Sequence, residues 1–231
     1  MKKRRTAGRA FMLGLVVSVL LAFGLSSSAR ADSETITLSV ANPNLATQGA
    51  GPYATVTISG SGTSWSVTAT GLNGFVFGDS SVFGLNLSSA AGTGTLGASP
   101  TPSSLTQTSA GVVDGFGNFN FVLNDGAGFS SPFSSLSFNF TTTGSLSGVA
   151  GLLALNSDHA DVVAHMALST NTACTGFAAN TGATKPTGSP DNSACVSGVP
   201  EPSSAALLFV GAMLIGGTYL LRRRETDDMA I

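Results

Sequence analysis

Asp158-His159-Ala160-Asp161, followed by His165, is the stretch of the chain where titratable side chains crowd together, and it contains both histidines. On an extended strand His159, Asp161 and His165 share a face, with His159 and Asp161 about 7 Å apart. A His/Asp pair at that spacing can do acid–base work, and with a carboxylate from another strand it can hold a divalent metal. Asp161 and His165 would lie about 13 Å apart, too far for one ion. No His-x-x-x-His pair, Gly-x-Ser-x-Gly elbow or phosphate-cradling loop accompanies them. The bland explanation, an exposed strand face beside a turn, is the better one. Asp114-Gly115-Phe116-Gly117-Asn118 lacks the carboxylate spacing and terminal glutamate of a calcium loop. Cys174 and Cys195 are the only cysteines. Two thiols without further ligands make no metal site, and neither histidine lies close enough in sequence to activate a nucleophile. No catalytic residue, metal or cofactor is expected.

The elements that must position these residues read as strands. Thr55-Val56-Thr57-Ile58-Ser59 and Trp65-Ser66-Val67-Thr68-Ala69 alternate apolar with polar, and so do Asn118–Leu123 and Leu136–Thr141 with phenylalanine on one side. Further strands are expected at Glu34–Val40, Phe75–Phe77, Phe83–Leu87 and Asp161–Leu168. Gly60-Ser61-Gly62 can close a hairpin between Ile58 and Trp65, and Asn73-Gly74, Asp114-Gly115 and Asn124-Asp125-Gly126 supply turn chemistry. Residues 90–110, rich in Gly, Thr, Ser and Pro, read as a long surface loop. About eight strands with such turns predict an all-β domain over residues 32–198, a β-sandwich of jelly-roll or immunoglobulin-like type. Eleven phenylalanines between Phe75 and Phe177 can bury enough apolar area to fold it, which argues against disorder. Trp65 and Tyr53 are the candidates for stacking on a sugar ring, although Trp65, alternating with small polar residues, reads more simply as a core anchor.

Charge is distributed unevenly. The whole chain carries −2, but between Asp32 and Val199 eight acids face Lys185 alone, a net of −7. Such a domain has no electrostatic footprint for DNA or RNA, so nucleic-acid partners are excluded. The positive charge sits at the two ends.

Those ends are address labels. Lys2, Lys3, Arg4, Arg5 and Arg9 precede an apolar run from Phe11 to Leu25, and Ala29-Arg30-Ala31 is a small-x-small site where signal peptidase would cut after Ala31. Residues 1–31 therefore read as a secretory signal peptide; Arg4-Arg5 raises a twin-arginine route, but the following residues do not match it. In the oxidising space beyond the inner membrane Cys174 and Cys195 are expected to pair. At the other end, Ala205–Leu221 spans about 25 Å as a helix, close to a hydrocarbon core of about 30 Å. Arg222, Arg223 and Arg224 would stop it on the cytoplasmic side, leaving Glu201 and all before it outside. Pro200 and Pro202 keep the preceding segment extended and accessible to a peptidase.

Val199-Pro200-Glu201-Pro202-Ser203, the apolar span 205–221 and the basic stop 222–224 together resemble the PEP-CTERM sorting signal of exported Gram-negative proteins. The resemblance covers residues 199–224; the tail Glu225–Ile231 is longer than is usual after the arginines. It implies recognition by an exosortase, a membrane-embedded cysteine transpeptidase-like enzyme, and removal of the helix near Pro-Glu-Pro. It also implies a host that makes exopolysaccharide and biofilm matrix. The expected product is an inner-membrane-anchored precursor that becomes a non-enzymatic surface or matrix protein. A carbohydrate-binding module of the exopolysaccharide is the alternative, and a secreted hydrolase using His159 and Asp161 the weakest.

Overall fold

The computed structural model describes residues 32–108, 110–195 and 213. The expected signal peptide, sorting motif, membrane span and basic stop lie outside the described residues. All-β character holds: among the described residues of the domain there are twelve strands, one α-helical turn at Pro43–Ala46 and two short 3-10 turns. The strands are β1 (Asp32–Ala41), β2 (Ala54–Gly71), β3 (Phe75–Phe77), β4 (Phe83–Leu85), β5 (Gly94–Leu96), β6 (Leu105–Thr108), β7 (Gly111–Val113), β8 (Gly117–Phe119), β9 (Phe121–Asp125), β10 (Ser135–Leu146), β11 (Val162–Leu168) and β12 (Asn171–Asn180).

A two-sheet sandwich is not what forms. One ten-stranded antiparallel sheet, ordered β5-β10-β2-β1-β12-β11-β4-β9-β6 with β3 beside β11, curls into a near-barrel. Its outermost strands, β5 and β6, meet through one side chain. The Gln107 amide of β6 accepts from Leu96 N (2.7 Å) and donates to the Gly94 carbonyl (2.8 Å) of β5. A side-chain amide thus takes the place of a peptide group in the ladder and protects two open edges from stray pairing. These edge strands come from residues 90–110, where a loop was expected: the Pro- and Gly-rich segment is bent enough to turn the corner of the barrel and still pair in short pieces.

β2 doubles back on itself. Leu72 N donates to the Tyr53 carbonyl (2.8 Å), so residues 54–60 rise along β1 and residues 64–71 descend along β10. The reversal is the hairpin anticipated at Gly60-Ser61-Gly62. Gly60 sits at φ +150°, and a Cβ there would run into the Ser64 carbonyl and the Trp65 ring.

Period-two alternation fills the barrel with Val56, Ile58, Trp65, Val67, Phe83, Leu85, Phe121, Leu123, Leu136, Phe138 and Phe140. A second, smaller cluster lies on the outer face of β11, β12 and β9. There the β7–β8 hairpin lays Val113, Phe116 and Phe119 over Val122, Val163 and Ala179. Phe119 and Phe121, expected on one side of a single strand, therefore serve different cores. Asn120 separates them: its side chain accepts from Leu87 N (2.7 Å) and donates to the Leu87 carbonyl (2.8 Å), which ends β8 and starts β9. β12 was not anticipated, because Ala, Gly and Thr give its sequence little apolar contrast.

The two ends of the barrel differ. β1 starts at one end, where Asp32 pairs with Gly60 and the 3-10 turn Val149–Gly151 caps the opening. At the other end the turn Pro43–Ala46 plugs the core with Leu45, capped by Asn42 Oδ1 accepting from Leu45 N (3.1 Å).

Candidate functional site

The described structure is organised around the segment that leads to the C-terminus. After β12 the chain turns at Thr181, whose N–H donates to the Thr37 carbonyl (3.0 Å), and returns as a strap down the outside of the barrel. Four residues anchor the strap. Thr184 N donates to the Asp158 carbonyl (2.7 Å), and Pro186 packs against Gly115, where a Cβ would collide with its ring. Asp191 is gripped twice by Asn44, which donates from Nδ2 to Oδ1 (2.6 Å) and accepts at its own Oδ1 from Asp191 N (3.1 Å). Asn192 Nδ2 then reaches the Ala173 carbonyl (3.1 Å).

The strap ends in covalent attachment. Cys195 is joined to Cys174 of β12, with Cα atoms 4.8 Å apart, and both residues are buried. The expected disulfide is present, and no free cysteine occurs among the described residues. A bond of this kind is compatible with an exported, oxidising environment. Neither cysteine is available as a nucleophile or a ligand.

The Asp158–His165 cluster does not assemble into a site. His159 adopts φ +55° in a turn organised by Asn156, whose Oδ1 accepts from Asp158 N (2.9 Å) and Ala160 N (3.0 Å). β11 begins only at Val162, so His159 never joins the strand face on which Asp161 and His165 were expected to meet it. Asp161 N donates to Asn180 Oδ1 (2.9 Å), while its own Oδ1 is buried without a hydrogen-bond partner. Desolvation by burial pushes its carboxyl above the ordinary range, and the Glu34 carboxylate adds to the rise.

His165 is a packed core residue of the outer face. It lies where β11 changes partner from β4 to β3: its N–H donates to the Val82 carbonyl (3.0 Å) and its carbonyl accepts from Gly78 N (3.4 Å). The ring stacks on Phe177 at 4.1 Å and meets Phe129 edge-on at 5.2 Å, with Nδ1 3.2 Å from the Ser80 carbonyl. Burial holds its pKa below the usual value against the opposing pull of the Ser80 hydrogen bond and of Asp79 and Asp114. A neutral imidazole donating from Nδ1 fits these surroundings. Among the described residues no group of three or more His, Cys, Asp or Glu side chains is placed to hold a metal ion.

The aromatics proposed for sugar stacking are also in the core. Trp65 is 2 % exposed and donates from Nε1 to Thr142 Oγ1 (3.0 Å). Tyr53 is buried edge-on against Phe75 at 4.9 Å and donates to the Gly49 carbonyl (3.0 Å); burial raises its phenol pKa. Above Trp65, however, lies an open groove of about 460 Å³. Its rim is Ser59, Ser64, Ser66, Asn139 and Thr141, all neutral, and Gly60 and Gly97 keep its floor low. These residues were legible as the outward positions of alternating strands, but nothing in the sequence says that they surround a depression. A smaller polar cleft of about 140 Å³ lies between the strap and the β7–β8 turn, lined by Asn42, Asn44, Asp114 and Asp191 among others. Asp114 there is a hairpin turn residue receiving Asn42 Nδ2 (3.4 Å).

Among the described residues no helix is long and apolar enough to cross a membrane. Comparisons of the chain with known protein families, with curated proteins and with solved structures find no match.

Proposed function

We propose that the chain is an exported, non-enzymatic surface or extracellular-matrix protein, sorted and trimmed at its C-terminus by an exosortase. The observation that carries this reading is the strap. Cys195, at the end of the strap, is bonded to β12 only four residues before Val199-Pro200-Glu201-Pro202. A disulfide at that point gives the folded domain a firm junction with the segment that is to be processed, and it forms readily only outside the reducing cytoplasm. Signal peptidase would remove residues 1–31 and release Asp32, which already lies in β1 and pairs with Gly60. The inner membrane holds the precursor through residues 205–221 until the exosortase acts near Pro200-Glu201-Pro202. Mass spectrometry of the protein from its own host tests the reading: termini at Asp32 and close to Pro202 are expected, and an intact chain through Ile231 would overturn it.

A carbohydrate-binding role in the exopolysaccharide is the second reading, favoured by the uncharged groove beside Trp65. Five hydroxyl and amide side chains around a low floor suit a neutral sugar better than an ionic ligand. Ser66→Tyr, which fills the groove, should abolish retention on the host polysaccharide if that reading holds. Unchanged retention would remove it.

A further inference from the structure

Asp32 and Cys174 stand at opposite ends of two neighbouring antiparallel strands. β1 runs from Asp32 to Ala41, and its register with β12 pairs Leu38 with Asn180 and Ala41 with Ala178. Cys174 lies four residues past Ala178 in the direction away from Asp32, so the two are roughly 40 Å apart along the strands. Asn180, where β12 ends, is much nearer to Asp32, at the level of Leu38. The strap retraces the length of β12 on the outside. It starts beside Thr37, where Thr181 N is bound, is fixed in turn at Thr184, Pro186, Asp191 and Asn192, and rejoins β12 at Cys174. A pull on the segment beyond Cys195 therefore has two routes into the barrel. Along the backbone it reaches β12 at Asn180; through the sulfurs it reaches β12 at Cys174.

We propose that the Cys174–Cys195 bond is a tension bypass: it delivers a pull on the C-terminal side to the far end of β12 and keeps the strap out of the path. The inference rests on the reading that the protein is held at that side, by its span or by what the exosortase leaves. Geometry decides how each route yields. β12 lies between β1 and β11. Tension entering at Cys174 acts along the axis of β12 and away from Asp32. It stresses the pairs with β11, from Val163 with Ala179 to Ala167 with Thr175, together with those to β1, so they must give way at once. Tension entering at Asn180 instead turns the strand back on itself. The pairs then open one at a time, each for the modest free energy of a single backbone hydrogen bond. By that route the strap contacts come off first, singly, from Asn192 back to Thr184. A barrier that spans many bonds slows forced unfolding, which follows the unfolding rate. With the strap slack, Asp191 stays on Asn44, and the turn Pro43–Ala46 keeps its place in the core.

Single-molecule pulling on the chain from Asp32 to Ile231, held in detergent, tests this with one handle at Asp32 and the other at one of two places. Ile231 is the first. The second is the amine of Lys185, which is exposed in the strap and is the single lysine left once residues 1–31 are removed. From Ile231 the barrel should unfold in one high-force step, its extension short by the 21 residues held behind the bond, about 70 Å. From Lys185, with the same bond intact, tension reaches β12 at Asn180, and opening should begin at about half that force or less. Cys174→Ala with Cys195→Ala, pulled from Ile231, should match the Lys185 force and recover the missing length. Equal forces from the two handles on the unsubstituted chain overturn the proposal, whether or not the variant folds. So does a lower force from Ile231. The masses of the mature termini are read separately, so the sorting reading and this inference can fail independently.

Discussion

Replacing Cys174 and Cys195 together by alanine removes the cross-link between β12 and the end of the strap. The cysteines are 21 residues apart, and closing a loop of that length in the unfolded chain is worth about 3 kcal/mol in the chain-entropy account. For a domain of this size each kcal/mol moves the melting temperature by about 2–4 °C, so a fall of about 6–12 °C is expected. Circular dichroism melting of the exported full chain, with and without the two substitutions, measures it. Because both cysteines are buried, mild reductant should leave the native disulfide intact until the strap opens, and thiol labelling of the wild type checks this. A fall of less than about 2 °C would refute the reasoning. The strap would then detach independently of the barrel, and the cross-link would secure only the strap.

Gln107→Ala should loosen the β5–β6 seam by about 1–2 kcal/mol, two hydrogen bonds, with faster hydrogen exchange at Leu96 N than at Phe140 N; Gln107→Glu, which keeps the acceptor but cannot donate to Gly94, should fall between. Stability should decline as pH drops through about 6.5, because the unfolded chain takes up a proton on His165 that the folded one resists down to its depressed pKa. His165→Leu should flatten that limb of the denaturation profile. Asp161 acts with the opposite sign: its raised pKa makes the folded state hold a proton that the unfolded state has lost, so its cost appears as pH rises above the ordinary carboxyl value. Asp161→Asn should therefore stabilise the domain at neutral pH and not at pH below about 3.8, as urea titrations at the two pH values would show. Gly144→Ala drives a Cβ into the Ala90 carbonyl and should cost about 1–3 kcal/mol by the same measurement.

Local pattern went far in this chain. Alternation located β1, both arms of β2 and β10, because a half-buried strand must place every second side chain in the core. The Gly60–Gly62 reversal and the burial of Trp65 were equally local matters, since a turn needs glycine and an indole between serines has one apolar face to hide. The partners of strands were another matter. One curled sheet or two stacked sheets demand the same alternation, and the choice depended on contacts far apart in sequence: Gln107 bridging to β5, and β3 and β4 sharing the edge of β11. Asn120 and Asn156 show the same limit at single residues, for a side chain that replaces a backbone partner leaves no periodic trace; one split an expected strand and the other pulled His159 out of line. By itself the sequence determined the all-β class, the concentration of basic residues at the chain ends and the cysteines available to pair. Only the tertiary structure decided that one sheet curls into a near-barrel and that the strap is fastened to β12, because position around a barrel is set by pairing order rather than by distance along the chain.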